Sequence, residues 1–370
     1  MLICRFQGET IRDPETGRAK RIGCPTCFGE QTTTGLKVFR CNHPGRGGEA
    51  TALDCESCNL KETMKPERSL ILANRLSPGD VLVMTAALES LHRQFPGKFA
   101  TAVKTTADDL FENNPHVIPL PEIGEAEQID MQYPLIDQSN QRAYHFMHGY
   151  VQFLGQKLGL PLELQTNRPY VYLTEQEKTW IGRVQEIVGK PVPYWLVNAG
   201  TKGDYTTKQY PVEHYQRVVD MLQGRILFVQ IGAKEHRHKK LRGVIDQVGK
   251  TSIRELVRLV YHSQGGLGPS TLLQHLCAAM EKPYICLLGG REPATWVQYP
   301  FQTTLHTIGA LSCCRKDACW RSRVVALIDG DEKNKSLCDF PVFVDPPAPK
   351  CMAMIAPETI TAFIDNHLRP

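Results

Sequence analysis

The stretch Ser69-Leu-Ile-Leu-Ala-Asn74, followed by Ser77-Pro-Gly-Asp80 and the run from Val81 to Phe95, reads as a buried strand, a tight turn and a helix. Pro96-Gly97 ends that helix. Phe99-Ala-Thr-Ala-Val-Lys104 is then a second strand, Ala107 to Asn113 a short helix, and Val117-Ile-Pro-Leu120 a third strand. A longer helix, Ala143 to Leu158, lies beyond a polar loop. Strand and helix alternating at this spacing predict a parallel sheet covered by helices.

The pattern restarts further along. Tyr194-Trp-Leu-Val-Asn198 is a strand entering a Gly200-Thr-Lys-Gly-Asp204 loop. Val212 to Leu222, Ile253 to His262 and Leu272 to Met280 read as helices. Ile226 to Ile231, the Gly-rich end Gln264 to Gly268, and Tyr284 to Gly289 read as strands. This is a second doubly wound unit, joined to the first through a linker near Glu175–Pro193, and Pro357 to His367 is a terminal helix. The expected class is α/β, with two Rossmann-like domains facing a cleft. In such sheets ligands bind outside the carboxyl ends of the strands. The expected segments are a Cys-rich module at 1–65, a first domain at 66–185, and a second at 186–310. A Cys-rich insertion at 311–355 and a terminal helix at 356–370 complete the chain.

With 370 residues, the chain is long enough for two ordinary domains. Hydrophobic residues at 42% and charged residues at 22% are a globular composition. A net charge of +4 is too small to argue for nucleic acid, though it suits an anionic substrate. The N-terminus lacks the apolar core of a signal peptide, and no run reaches the roughly 18 apolar residues of a membrane helix. A cytoplasmic protein is therefore expected, with its thiols reduced.

The thirteen cysteines are clustered: six fall between Cys4 and Cys58, and five between Cys313 and Cys351. In a reducing compartment such clusters read as metal ligands. Cys24-Pro-Thr-Cys27 and Cys55-Glu-Ser-Cys58 match a tetrahedral zinc set, although 27 residues separate the pairs, more than a usual ribbon allows. Cys41 is an alternate ligand. The bland alternative is a small core of unliganded thiols.

Three stretches carry a resemblance. They are Ser77-Pro-Gly-Asp-Val-Leu-Val-Met-Thr, then Gly200-Thr-Lys with Lys208-Gln-Tyr-Pro211, and then Leu267-Gly-Pro-Ser-Thr-Leu-Leu-Gln-His-Leu-Cys-Ala-Ala-Met280. Together, over roughly 69–310, they resemble the heptosyltransferases of glycosyltransferase family 9, whose fold is of the GT-B type. Ser270 stands where that family usually has Asp, and Leu272 where it usually has Gly. The second cysteine cluster, Cys314, Cys319, Cys338 and Cys351 with Cys313 as alternate, resembles the iron-holding motif of the bacterial autotransporter heptosyltransferases. Its first pair is spaced C-x4-C or C-x5-C. Four thiolates suit iron or zinc, in a structural role.

The resemblance implies roles for single residues. Asp80 would be the base that takes a proton from an acceptor hydroxyl; by position alone it is also a good helix cap, with Gly79 allowing the turn. Thr201, Lys202 and Lys208 would stabilise a departing nucleotide diphosphate, or form an ordinary solvated loop. Gly268, Ser270 and Thr271, before a helix, would cradle a phosphate or cap the helix, and both can hold. His275 is either a packed residue or a ligand contact. Glu235 is a weaker candidate for a ribose contact, beside a His236-Arg-His-Lys-Lys240 run that reads as a solvated face. Asp329-Gly-Asp331 reads as a solvated turn rather than a metal motif.

The expected function is inverting transfer of a heptose-like sugar from a nucleotide diphosphate, ADP-heptose by resemblance, to a hydroxyl of a glycan, lipid-linked or protein acceptor. No catalytic metal, membrane span or nucleic acid is expected. A sugar-nucleotide epimerase on the same fold and an inactive binding protein are the alternatives.

Overall fold

The computed structural model describes residues 66–236 and 238–368. Before them it describes only the backbone of five short strands. Thr10–Arg12 pairs antiparallel with Ala19–Arg21, and Cys27–Gln31, Lys37–Cys41 and Gly48–Ala50 form a meander in which Cys27 and Cys41 are register partners. The side chains of the expected zinc set, Cys24, Cys27, Cys55 and Cys58 with Cys41, lie outside the described residues.

The first unit has three parallel strands, β1 (Arg68–Asn74), β2 (Phe99–Thr105) and β3 (Glu127–Asp130), in the order β2-β1-β3. Helix α1 (Pro78–Gln94) follows β1, and α2 (Phe146–Leu158) follows β3. Every residue of α1 from Val81 to His92 is buried, because the sheet, α2 and a helix of the second unit surround it. The sequence expectation placed the third strand at Val117–Leu120. That segment instead touches the sheet through one bond, from Ile118 N–H to the Thr101 carbonyl at 2.9 Å. Pro119 and Pro121 cannot donate to a ladder, so strand pairing passes to Glu127–Asp130. The short helix expected from Ala107 is a single 3-10 turn, Asp108–Phe111.

The second unit is a six-stranded parallel sheet. Its strands are β4 (Tyr194–Val197), β5 (Leu227–Gln230), β6 (Val244–Asp246), β7 (Gly265–Pro269), β8 (Tyr284–Gly289) and β9 (Gln302–His306). They lie in the order β6-β5-β4-β7-β8-β9, so the winding reverses between β4 and β7. The segment Glu175–Pro193 holds two short helices, α3 (Glu175–Thr179) and α4 (Arg183–Val188). Both are tied to the second unit's α6 by ion pairs, Arg254 to Glu177 at 2.6 Å and Arg258 to Glu186 at 2.9 Å. The helices of this unit are α5 (Val212–Met221), α6 (Ile253–His262), α7 (Leu272–Ala279) and α8 (Ala294–Val297). After α8 come α9 (Lys350–Ala353) and α10 (Pro357–Leu368). The terminal helix α10 packs on α5, with Tyr210 donating to the Ile355 carbonyl at 2.8 Å and Arg225 paired to Asp365 at 2.7 Å. None of the described helices is long and apolar enough to cross a membrane.

Residues 311–355 contain little regular structure. A two-residue strand pair, Pro341–Val342 with Ala348–Pro349, and two 3-10 turns account for it, apart from α9. Asp329 and Asp331 are part of an exposed turn, as the sequence suggests, but their carboxylates face the buried guanidinium of Arg323, at 2.8 and 3.6 Å.

Candidate active site

The site lies where the loops following adjacent, diverging strands meet. In the first sheet the winding reverses at β1 and β3. Asp80 follows β1 and Tyr133 follows β3, and the Tyr133 hydroxyl donates to Asp80 Oδ1 at 3.0 Å. Asp80 is not the helix cap: Ser77 holds that position, and Asp80 sits in the first turn of α1. Burial raises the Asp80 carboxyl above its ordinary value of 3.8, against the hydrogen bond from Tyr133 and the charge of Lys208, which lower it. Burial and the same carboxylate push the Tyr133 phenol well upward, so Tyr133 remains a donor.

In the second sheet, Lys208 follows β4 while Ser270 and Thr271 follow β7. Asn198 bridges the point of reversal by donating to Thr271 Oγ1 at 3.2 Å. Lys208 Nζ donates to Ser270 Oγ at 2.8 Å, to the Ser270 carbonyl at 3.1 Å, and to Glu292 Oε1 at 2.7 Å. Ser270 Oγ donates in turn to Glu292, and Arg291 pairs with the same carboxylate. Burial alone would raise Glu292; Lys208 and Arg291 outweigh it and bring the carboxyl down to about 2. Family 9 usually places an Asp at the position of Ser270. Here a carboxylate reaches that corner from Glu292, beyond β8. Sequence reading missed Glu292 because 22 positions separate it from Ser270.

The two halves touch end to end. A Cβ on Gly79 would come within 3.3 Å of the Leu272 backbone nitrogen and of the His275 ring, so the start of α1 abuts the start of α7. Neither helix has a side-chain cap: Ser77 makes no capping bond, and the Thr271 hydroxyl is turned to Asn198. The start of α1 is already met by the Asp80 carboxylate, which accepts from the Ser77 and Asp80 backbone amides, whereas the start of α7, beside Lys208, favours an added anion. His275 is packed at this junction, bonded through Nδ1 to the Tyr299 hydroxyl at 2.8 Å. Burial, reinforced by His145, depresses it to about 3, so it is neutral.

Other expected residues sit apart from this centre. Thr201 is buried and shares a 3.3 Å bond with Gln209. Lys202 is exposed and paired to Asp204 at 2.8 Å. Gly268 lies within β7, where a Cβ would strike the Tyr284 hydroxyl at 2.8 Å and the Asn198 carbonyl at 3.0 Å, so its role there is close packing. Glu235 is exposed. The run after it is not wholly a solvated face: His238 fits against Gly200 and Gly232, where any Cβ would collide with its ring. Burial brings His238 down to about 4.

The seven described cysteines are free thiols. Burial pushes Cys351 up to about 11, with the neighbouring thiols of Cys338, Cys319 and Cys314 adding to the rise. Burial and the thiols of Cys319, Cys314 and Cys351 push Cys313 up to about 12. Cys351 and Cys314 pack against Gly289 and Gly290, and the Cys319 amide donates to the Gly290 carbonyl at 3.0 Å. Among the described residues, no three His, Cys, Asp or Glu side chains stand at the spacing of a metal ligand set.

Two parallel α/β units thus meet at a carboxylate, Asp80, a lysine, Lys208, and the starts of two helices. The family model of glycosyltransferase family 9 (heptosyltransferase) matches residues 131–319 of the 370. The chain belongs to that family, and it is a glycosyltransferase that takes sugar from a nucleotide donor. Among solved structures it is similar to a family 9 glycosyltransferase from Veillonella parvula, with 14% identity, TM-score 0.55, and 82% of this chain and 97% of that one covered. It is similar to the ADP-heptose LPS heptosyltransferase II of E. coli, with 13% identity, TM-score 0.52, and 80% and 98% covered. It is also similar to TibC, an iron-containing dodecameric glycosyltransferase of enterotoxigenic E. coli, with 13% identity, TM-score 0.56, and 98% and 92% covered. At these identities the likeness is one of fold. No curated protein matches the sequence.

Proposed function

We propose that the protein transfers a heptose-like sugar from ADP-heptose to an acceptor hydroxyl with inversion at the anomeric carbon. The observation that carries this reading is Asp80, held by Tyr133 beside Lys208 where the starts of two helices meet. Asp80 takes the hydroxyl proton as the acceptor oxygen bonds to the anomeric carbon. The bond from that carbon to the diphosphate breaks on the opposite face, and its electron pair leaves with the nucleoside diphosphate. Lys208 and the amides at the start of α7 stabilise the growing negative charge. One carboxylate acting on a hydroxyl is the chemistry of a single displacement, which supports inversion.

The likeness to a structure described as an ADP-heptose heptosyltransferase supports the choice of donor. Cys314, Cys319, Cys338 and Cys351 are proposed to hold a structural zinc or iron. Support comes from the packing of Cys314 and Cys351 at Gly289–Gly290, where the Cys319 backbone also bonds, and from the likeness to a structure described as iron-containing.

Asp80→Asn tests the reading. Transfer from ADP-heptose should fall about 100-fold or more, while thermal stabilisation by ADP is retained. Unimpaired transfer in this variant would remove Asp80 as the base.

A further inference from the structure

A cavity of about 370 Å³ opens between the two units, lined by Ile136, Asp137, Ser139 and Asn140 of the first unit and by Trp320 of the Cys-rich segment. No role described above uses it. Its position ties it to the reaction centre from both sides. Ile136 and Asp137 belong to the 3-10 turn Pro134–Gln138 that begins directly after Tyr133, the partner of Asp80. Trp320 lies under the guanidinium of Arg291, 5.3 Å from its ring, and Arg291 pairs with the Glu292 that holds Lys208. An aromatic bridge connects the two walls, from Tyr133 to Trp296 at 6.3 Å and from Trp296 to Trp320 at 6.5 Å.

The cavity is built rather than incidental. Asn140 fastens its walls together, donating to the Ala318 carbonyl at 2.8 Å and accepting from Trp320 Nε1 at 3.3 Å. Trp320 itself has φ of 51°, a left-handed backbone rare for a bulky residue. Such a conformation persists only where the surroundings enforce it, and it concentrates at ligand sites.

We infer that this cavity is the acceptor subsite and that it receives a neutral sugar ring. The inference rests on the transferase reading above. An indole offers a flat apolar surface to the C–H face of a pyranose, as aromatic rings do for other flat partners. Asp137 is a pure hydrogen-bond acceptor that suits hydroxyl donors. The lining residues include no lysine or arginine, and Arg291, stacked on Trp320, is already paired to Glu292, so a phosphorylated or carboxylated ring would find no free cation in the lining. A mostly apolar hollow with a few convergent polar groups is the usual form of a small-ligand site.

The test uses the full chain and its intrinsic tryptophan fluorescence, titrated with methyl α-heptopyranoside, methyl α-glucopyranoside and glucose 6-phosphate. Stabilisation by ADP-heptose is measured on the same samples. The neutral glycosides should quench the fluorescence and glucose 6-phosphate should not. Trp320→Ala and Asp137→Asn should each weaken glycoside binding about tenfold, with ADP-heptose stabilisation unchanged. Asp137 is exposed, so its variant tests the subsite even if Trp320→Ala unfolds the protein. Glycoside binding that survives both substitutions, preferential binding of the phosphate ester, or no binding of either glycoside overturns the inference. Trp320-dependent glycoside binding without any response to ADP-heptose would keep the subsite and bring down ADP-heptose as the donor instead.

Discussion

Glu292 shows how a buried charge is kept ionised and why that matters for function. Its carboxylate is shared by Lys208, Arg291 and Ser270. Removing one member of a buried ion set leaves uncompensated charge and costs about 3–5 kcal/mol. Glu292→Gln should therefore lower the melting temperature of the unliganded protein. A diphosphate next to Lys208 would restore the missing negative charge, so ADP should stabilise this variant by more degrees than it stabilises the natural protein. Equal increments in a thermal titration would mean that Lys208 does not face the diphosphate. At Asp80 the balance runs the other way, since burial dominates and the carboxyl rises. A base must be ionised to act, so kcat/KM should fall off on the acid side at a pH above 3.8, the ordinary aspartate value.

Among the elements, 311–355 differs most from its surroundings. Its strands are two residues long and its turns are single, so it buries little through regular structure. It is held by the Arg323 network and by packing around the cysteines, where Gly289 and Gly290 leave room for Cys351 and Cys314. If the four thiols hold a metal, it replaces the missing core of this segment. Replacing Cys338 and Cys351 together by Ser should then remove about one metal ion per chain and lower the melting temperature, with elemental analysis as the readout. Unchanged metal content would dismiss the C-terminal site. The cysteine spacing was legible in the sequence. That the cluster would stand one residue from Trp320, on the wall of the cleft, was not, because the contact joins Asn140 to residues 178 and 180 positions away.

For the whole molecule, the buried histidines set the response to acid. Burial is the main cause holding His92, His145 and His275 near 3 and His238 near 4, all below the usual 6.5. A depressed folded value means stability is present above the unfolded value and lost as pH falls below it. Between pH 6.5 and about 4, each fully buried histidine, such as His92 or His275, should cost about 1.4 kcal/mol per pH unit. Glu89 and Glu292, brought down to about 2 from 4.5, extend the loss to lower pH. Urea midpoints measured from pH 7 to 4 should fall steeply. A flat profile would mean these rings take up protons in the folded state.

The sequence by itself determined the two strand–helix alternations, the Gly79–Asp80 turn, the Lys208 and Ser270–Thr271 loops, and the clustering of the cysteines. Each of these is written in residues close together along the chain, where periodicity and turn chemistry act. Only the tertiary structure decided that β3 falls at Glu127–Asp130, past two prolines that deny the earlier segment its ladder. It also decided that α1 and α7 meet end to end at Gly79, and that Glu292 supplies the carboxylate beside Ser270. Those outcomes depend on which strands become neighbours in a sheet, and that is settled by burial and packing over the whole chain rather than by any local run of residues.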